Sequence, residues 1–371
     1  AVFIGAIALG ANIFNMIYWN FGFLRMSSSG FASQAYGARD FSESMNVFIR
    51  SLAIGLGIGF LIVLLQYPIG ELAFKLIKSG PESVHHVKTY FRIVVWGAPA
   101  VLGMYAFKGW FIGMQNARIP MFIAILNNVL NIILSIGFVF GLGMRIDGIA
   151  LGTALSQITS FLVAAILWQK YYGRLKKYVR KETIWDKLAI RQYFKVNSDI
   201  FVRTFLLTLV TTFFTFASSG MGDTILAVNA LLMQFFMLFS YFMDGFAYAG
   251  EALAGRFIGA KNKPLLQHMI KRIFFWGLMV SLLTNDIAVI TEAKNYMFWT
   301  LLIPITGFAA FLWDGIFIGA TASAEMRNAM ILSSIVFFLS YFLLMPMWGN
   351  NALWLSFIIY LAARGITLTY M

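Results

Sequence analysis

Asp314 sits between Phe308-Ala309-Ala310-Phe311-Leu312-Trp313 and Gly315-Ile316-Phe317-Ile318-Gly319, an acid inside an apolar run with no basic residue within one helical turn. An ionisable group at membrane depth is expensive and points to function. A carboxyl withdrawn from water is harder to ionise, the property a reversible proton carrier or cation site uses. The alternative is a structural carboxylate hydrogen-bonded to a neighbouring helix. Asp199 and Arg203 are four apart, so one helix face can hold them as an internal ion pair, a gate or a relay. Asp244 and Glu251, seven apart, also share a face. Gly245, Gly250 and Gly255 nearby allow another backbone to approach, and the pair suits coupling and structure equally. Arg25 reads as structural.

Amides supply a second set. Asn127 and Asn131 fall on one face, Ser135 continues it one turn later, and Thr153 and Gln157 lie on the next segment. Amides and hydroxyls cannot carry protons, but they bind sodium, order water or hold helices together. The 19 Met and 38 Phe suit an adaptable drug cavity and suit lipid contact equally well, so they assign no binding residue.

Other chemistry is excluded by what the chain lacks. With no Cys and three His there is no disulfide, thiolate site or zinc cluster, and no metal site is expected. No nucleophile elbow, metal-binding His pair or phosphate loop appears, so an enzyme is not expected and no cofactor beyond a coupling ion, H+ or Na+. The formal charge of +13 could suit nucleic acid, but the basic residues stand at the ends of apolar runs rather than among stacking aromatics, so no nucleic-acid partner is expected.

These groups must be positioned by membrane helices. The chain is 60% hydrophobic and 12% charged, with a mean hydropathy of +0.79. Its apolar runs are about 20 residues long, the length of a helix crossing a bilayer rather than a barrel strand. Eleven such runs fall near residues 2–36, 43–78, 84–114, 118–142, 146–172, 197–219, 223–258, 268–290, 294–321, 327–347 and 350–370. The eighth is short: Ile273 to Thr284 reaches only about 18 Å against a core of about 30 Å. Either Asn285 and Asp286 enter the membrane or residues are missing there.

Between Gln169 and Lys195 lie nine basic residues: Lys170, Arg174, Lys176, Lys177, Arg180, Lys181, Lys187, Arg191 and Lys195. The positive-inside rule makes this a cytoplasmic linker, either simply solvated or a lipid or partner site. It divides the chain into an amino-terminal bundle (1–172), a linker (173–195) and a carboxy-terminal bundle (196–371). Lys75, Lys78 and Lys88 run against this orientation.

The two bundles repeat. Phe31-Ala32 followed by Gly37-Ala38-Arg39 matches Leu253-Ala254 followed by Gly259-Ala260-Lys261 at one fixed offset. Gly109-Trp110-Phe111-Ile112-Gly113 matches Gly315-Ile316-Phe317-Ile318-Gly319, and Arg118 to Met121 matches Arg327 to Met330. Duplicated bundles are a transporter signature. Six helices follow the linker and five precede it, so one is expected to be absent at the amino terminus, and Ala1 reads as internal to something longer.

Four stretches resemble the multidrug and toxic compound extrusion (MATE) family, especially its DinF-like branch. They are Phe23-Leu24-Arg25-Met26-Ser27-Ser28-Ser29-Gly30 with Gln34 to Gly37, Asn197 to Thr204, Met243 to Leu253, and Trp313 to Thr321. The resemblance covers essentially the whole chain. It implies an all-α polytopic fold of two pseudo-symmetric six-helix bundles in the bacterial inner membrane. It also implies a secondary antiporter, here expected as a monomer, that exports organic cations or amphiphilic drugs in exchange for protons or sodium by alternating access. Three departures bear on mechanism. The family's opening helix, which carries an acid important for coupling, is not in the chain. The eighth helix is about ten residues short. Where sodium-linked members carry Asn-x-x-x-Asp, this chain reads Asn131-Ile132-Ile133-Leu134-Ser135, and Ser135 supplies no charge. A flippase for lipid-linked or polysaccharide precursors is the rival reading. The acidic lean of the helix-embedded charges argues against its anionic cargo and for a cationic substrate. A non-transporting scaffold would show no ion-driven flux.

Overall fold

The computed structural model of the chain describes residues 2–76, 81–283 and 296–371, and each of the eleven expected stretches contains helix. In chain order the helices are α1 (Val2–Asn20), α2 (Phe23–Gly37), α3 (Phe41–Leu64), α4 (Gln66–Leu76), α5 (Pro81–Val94), α6 (Ala98–Gly113), α7 (Arg118–Ile136), α8 (Ile146–Tyr172), α9 (Lys181–Ile184) and α10 (Lys187–Ser219). They continue as α11 (Asp223–Gly259), α12 (Lys263–Leu283), α13 (Met297–Ala320), α14 (Ser323–Trp348) and α15 (Asn350–Tyr370). Nine helical stretches among the described residues are long and apolar enough to cross a membrane. Asn285 and Asp286 lie outside the described residues.

Three expected single helices are interrupted. The first breaks between α1 and α2 at Phe21 and Gly22, after Asn20 turns its amide back to the Met16 carbonyl at 2.7 Å. Such side-chain bonds compete with the helical ladder. The second breaks at Leu65. The third passes through a 3-10 turn, Val95–Gly97, just before Pro99, which has no N–H to continue the ladder.

The chain divides into two compact units, Ala1–Ala32 with Asp40–Ala189, and Ser33–Arg39 with Ile190–Met371. In the first, Phe14 and Tyr18 of α1 pack on Val87, Tyr90, Phe91 and Val94 of α5, with Leu102 and Ala150 completing the core. The core of the second is aromatic, built from Phe214, Phe236, Phe239, Phe311, Phe337, Trp354, Phe357 and Tyr360. Lipid gives helices no hydrophobic reason to associate, so close backbone packing and polar contacts must hold them. Gly315 of α13 lies against the backbone of Ala247 on α11, where any side chain would collide. Asn229 donates to Asn350 Oδ1 and Ser218 Oγ, both at 2.7 Å, and accepts from Trp354 Nε1 at 2.8 Å, joining α10, α11 and α15.

The duplication reappears in the backbone. Among the described residues four non-glycine residues have positive φ: Arg39 (57°), Gln115 (62°), Lys261 (53°) and Thr321 (54°). They form two repeat pairs, Arg39 with Lys261 and Gln115 with Thr321, each just past a helix end where a left-handed residue caps the last carbonyls. The ends of α2 and α11 also meet reciprocally within the second unit. Gly37 lies against the backbone of Arg256, and its repeat mate Gly259 against that of Gln34, the repeat mate of Arg256.

Candidate ion-coupling site

Three helices of the second unit converge on one carboxylate. Asp314 of α13 is 6% exposed, and its Oδ2 accepts from Nη2 of Arg203 on α10 and Nη2 of Arg364 on α15. Arg203 and Arg364 are themselves buried. The Arg364 guanidinium stands 5.6 Å from the centre of the Phe311 ring, one turn before Asp314, which adds a cation–π contact. The Nε atoms of both arginines are buried without a hydrogen-bond partner among the described residues.

This corrects the expectation of an acid without basic neighbours. No base lies within a turn of Asp314 along α13, but two arrive from other helices. It also corrects the expected Asp199–Arg203 pair. Arg203 turns to Asp314, while Asp199, one turn earlier on α10, accepts from Ser323 Oγ at 2.8 Å and from Arg327 of α14. A burial penalty of several kcal/mol per unpaired ion outweighs the few tenths available from an exposed pair along one helix. Nor do the embedded charges of this unit lean acidic as expected, since both Asp199 and Asp314 carry their own arginines.

The remaining candidates of this unit lie on α11. Glu251 is buried and Asp244 half-buried, and the Glu251 carbonyl borders Gly319, so its turn is part of the close α11–α13 contact.

The amide candidates belong to the first unit. Asn131 of α7 donates to Thr153 Oγ1 of α8 at 3.0 Å, and Thr153 donates to the Ile149 carbonyl at 2.9 Å. Ser160 donates to Asn127 Oδ1 at 3.3 Å. Ser135 faces Gly152, whose missing side chain admits it, and its Oγ is buried without a partner among the described residues, as is Gln157 Oε1. Asn131, Thr153 and Ser135 therefore come together as a neutral group at the α7–α8 contact. Among the described residues no three His, Asp or Glu side chains are grouped to hold a metal.

Arg364 was missed by reasoning from sequence, although it is the one charged residue in α15. A lone arginine in an apolar helix is the signal that finds it. The duplication adds an asymmetry: aligning Gly109 with Gly315 puts Lys108 where the second half has Asp314. Chemically, the site offers one oxygen to two guanidinium groups. The carboxylate is the shared counter-charge of both arginines, so the three-helix contact depends on that one negative charge.

The sequence profile of the MatE family matches residues 1–136 and 200–285. The chain is 33% identical to DNA damage-inducible protein F of Escherichia coli (strain K12), an alignment covering 99% of this chain and 83% of that protein. It is 22% identical to multidrug export protein MepA of Staphylococcus aureus (strain N315), over 89% of this chain and 77% of that one. A solved structure described as the outward-facing conformation of a multidrug resistance MATE family transporter of the MOP superfamily matches with a TM-score of 0.83. It is 19% identical over 98% of this chain and 85% of its own, a likeness of fold.

Proposed function

The chain belongs to the MatE family, and from that premise we propose that it is a secondary antiporter exporting amphiphilic organic compounds, organic cations among them, by alternating access in exchange for protons. Sodium is the second candidate for the coupling ion. The names of its relatives, a multidrug export protein among them, support drug-like cargo. Its place is the cytoplasmic membrane of a bacterium, with the basic linker inside and a single chain as the working unit.

The observation that carries the reading is the shared Oδ2 of Asp314. A ligand shifts a conformational equilibrium only by binding one state better than the other. In the clamped arrangement, the Asp314 carboxylate is the counter-charge of both Arg203 and Arg364. A proton on Asp314 removes that counter-charge and leaves two buried guanidinium groups held only by weaker neutral-acceptor bonds, which favours an arrangement in which α10 and α15 have let go of α13. Loss of the proton re-forms the clamp. That is a coupling free energy between proton binding and helix position, the element an antiporter requires.

The neutral Asn131, Thr153 and Ser135 group is assigned to helix association. It offers oxygens but no charge, whereas a sodium-coupled site is helped by a carboxylate.

The test is accumulation of a fluorescent organic cation and of a neutral amphiphile in everted vesicles, energised separately by a pH gradient and by a sodium gradient. Uptake driven by the pH gradient alone is expected. Uptake driven only by sodium would move coupling away from Asp314, and uptake with neither gradient would contradict antiport.

A further inference from the structure

The basic segment after α8 is held in place rather than left as a solvated tether. Buried Arg50 of α3 donates to the main-chain carbonyls of Thr183 (2.6 Å) and Ile184, with Glu43 as its counter-ion at 2.7 Å. Asn46 adds a bond to Thr183 Oγ1 at 3.0 Å. Tyr178 packs on Phe41 with ring centres 5.5 Å apart, and Tyr172 accepts from Asn116 at 2.9 Å. Phe48 stacks on Trp168, over whose ring Lys176 lies at 5.5 Å. All these groups belong to the first unit.

What is pinned is a rim of positive charge. Lys170, Arg174, Lys176, Lys177, Arg180 and Lys187 are all exposed, and among the described residues none of the six forms an ion pair. Three lie over aromatic rings, of Trp168, Tyr171 and Tyr178. The two acids of the segment do little to offset them, and Asp186 is already used in accepting from the Ala189 N–H at 2.9 Å. Beside this charge two apolar side chains stand out, Trp185 at 56% and Leu188 at 77% exposure. Six fixed like charges repel one another unless a counter-charge comes from outside the chain. A tryptophan and a leucine among lysines and arginines, at the end of a membrane-spanning helix, are the composition of a headgroup-level contact.

We infer that this rim is a binding site for anionic phospholipid headgroups. The phosphodiester and any further headgroup charge are met by Arg174, Lys177, Arg180 and Lys187, while Trp185 and Leu188 enter the acyl boundary. Arg50 is a positioning residue that holds the main chain under the rim. A free phosphate offers the same anionic chemistry without the acyl chains that Trp185 and Leu188 would meet.

The test is tryptophan quenching in nanodiscs holding the full chain. One preparation contains brominated phosphatidylglycerol, the other brominated phosphatidylcholine. Subtracting the Trp185→Phe variant isolates Trp185 from the other nine tryptophans. Phosphatidylglycerol is expected to quench Trp185 about threefold more than phosphatidylcholine at equal content. The Arg174→Gln, Lys177→Gln, Arg180→Gln combination should equalise the two lipids without changing the melting temperature in detergent, and inorganic phosphate should leave the preference intact. Equal quenching in the unmodified chain, a preference that survives the triple variant, or its abolition by inorganic phosphate would each overturn the proposal. None of these readouts depends on transport.

Discussion

Arg364 and Asp314 lie 50 positions apart and meet in a buried contact that fixes α15 to α13. Because Arg203 holds the same oxygen, the cluster carries two cations for one anion. It is therefore unequally sensitive to losing its members.

Asp314→Asn leaves two buried guanidinium groups facing each other, whereas Arg364→Gln leaves the neutral Arg203–Asp314 pair. Removing one partner of a buried ion pair costs about 3–5 kcal/mol. Thermal unfolding in detergent should show the larger loss for Asp314→Asn. A larger loss for Arg364→Gln would mean that the second arginine, not the acid, organises the site.

The helical architecture was legible because apolar runs and small-residue repeats are local properties. The offset joining Gly37-Ala38-Arg39 to Gly259-Ala260-Lys261 even marks where two left-handed backbones occur. Asp314 was legible as an acid at depth. Its partners were not, because they come from 50 and 111 residues away. The spacing of Asp199 and Arg203 pointed to a local pair, but a pair along one helix is worth a few tenths of a kcal/mol. Leaving Asp314 buried and unpaired would cost several times more, so tertiary contact decided the pairing.

Glycine positions give a contrast. Gly315→Val and Gly37→Val would each drive a side chain into the backbone of another segment, Ala247 and Arg256 respectively. Gly57→Ala and Gly137→Ala meet nothing within 4 Å. Membrane expression and melting temperature should collapse for the first two and stay unchanged for the second two. Gly259→Val should match Gly37→Val, because the two contacts are repeat mates.

Asn131→Leu removes the bond to Thr153, worth about 0.6 kcal/mol for an average interhelical hydrogen bond and up to about 1.7 kcal/mol. A small drop in melting temperature is expected, with pH-driven uptake unchanged. Complete loss of uptake in a folded Asn131→Leu protein would place coupling in the first unit.

Arg50→Gln removes the donors that pin Thr183 and Ile184. Trypsin should then cut after Lys176, Lys177 or Arg180 about tenfold faster, since cleavage follows the population of locally opened chain. An unchanged cleavage rate would show that Tyr178 and Trp168 suffice to hold the segment.

In the proposed mechanism Asp314 is the group that links proton binding to helix position. The measurement that tests it most directly compares pH-driven accumulation with gradient-free substrate exchange in proteoliposomes, for the unmodified chain, Asp314→Glu and Asp314→Asn. Exchange retained in Asp314→Asn with accumulation lost, and both retained in part in Asp314→Glu, is the expected result. Accumulation that survives Asp314→Asn at the unmodified rate would contradict the account and leave the triad a structural clamp.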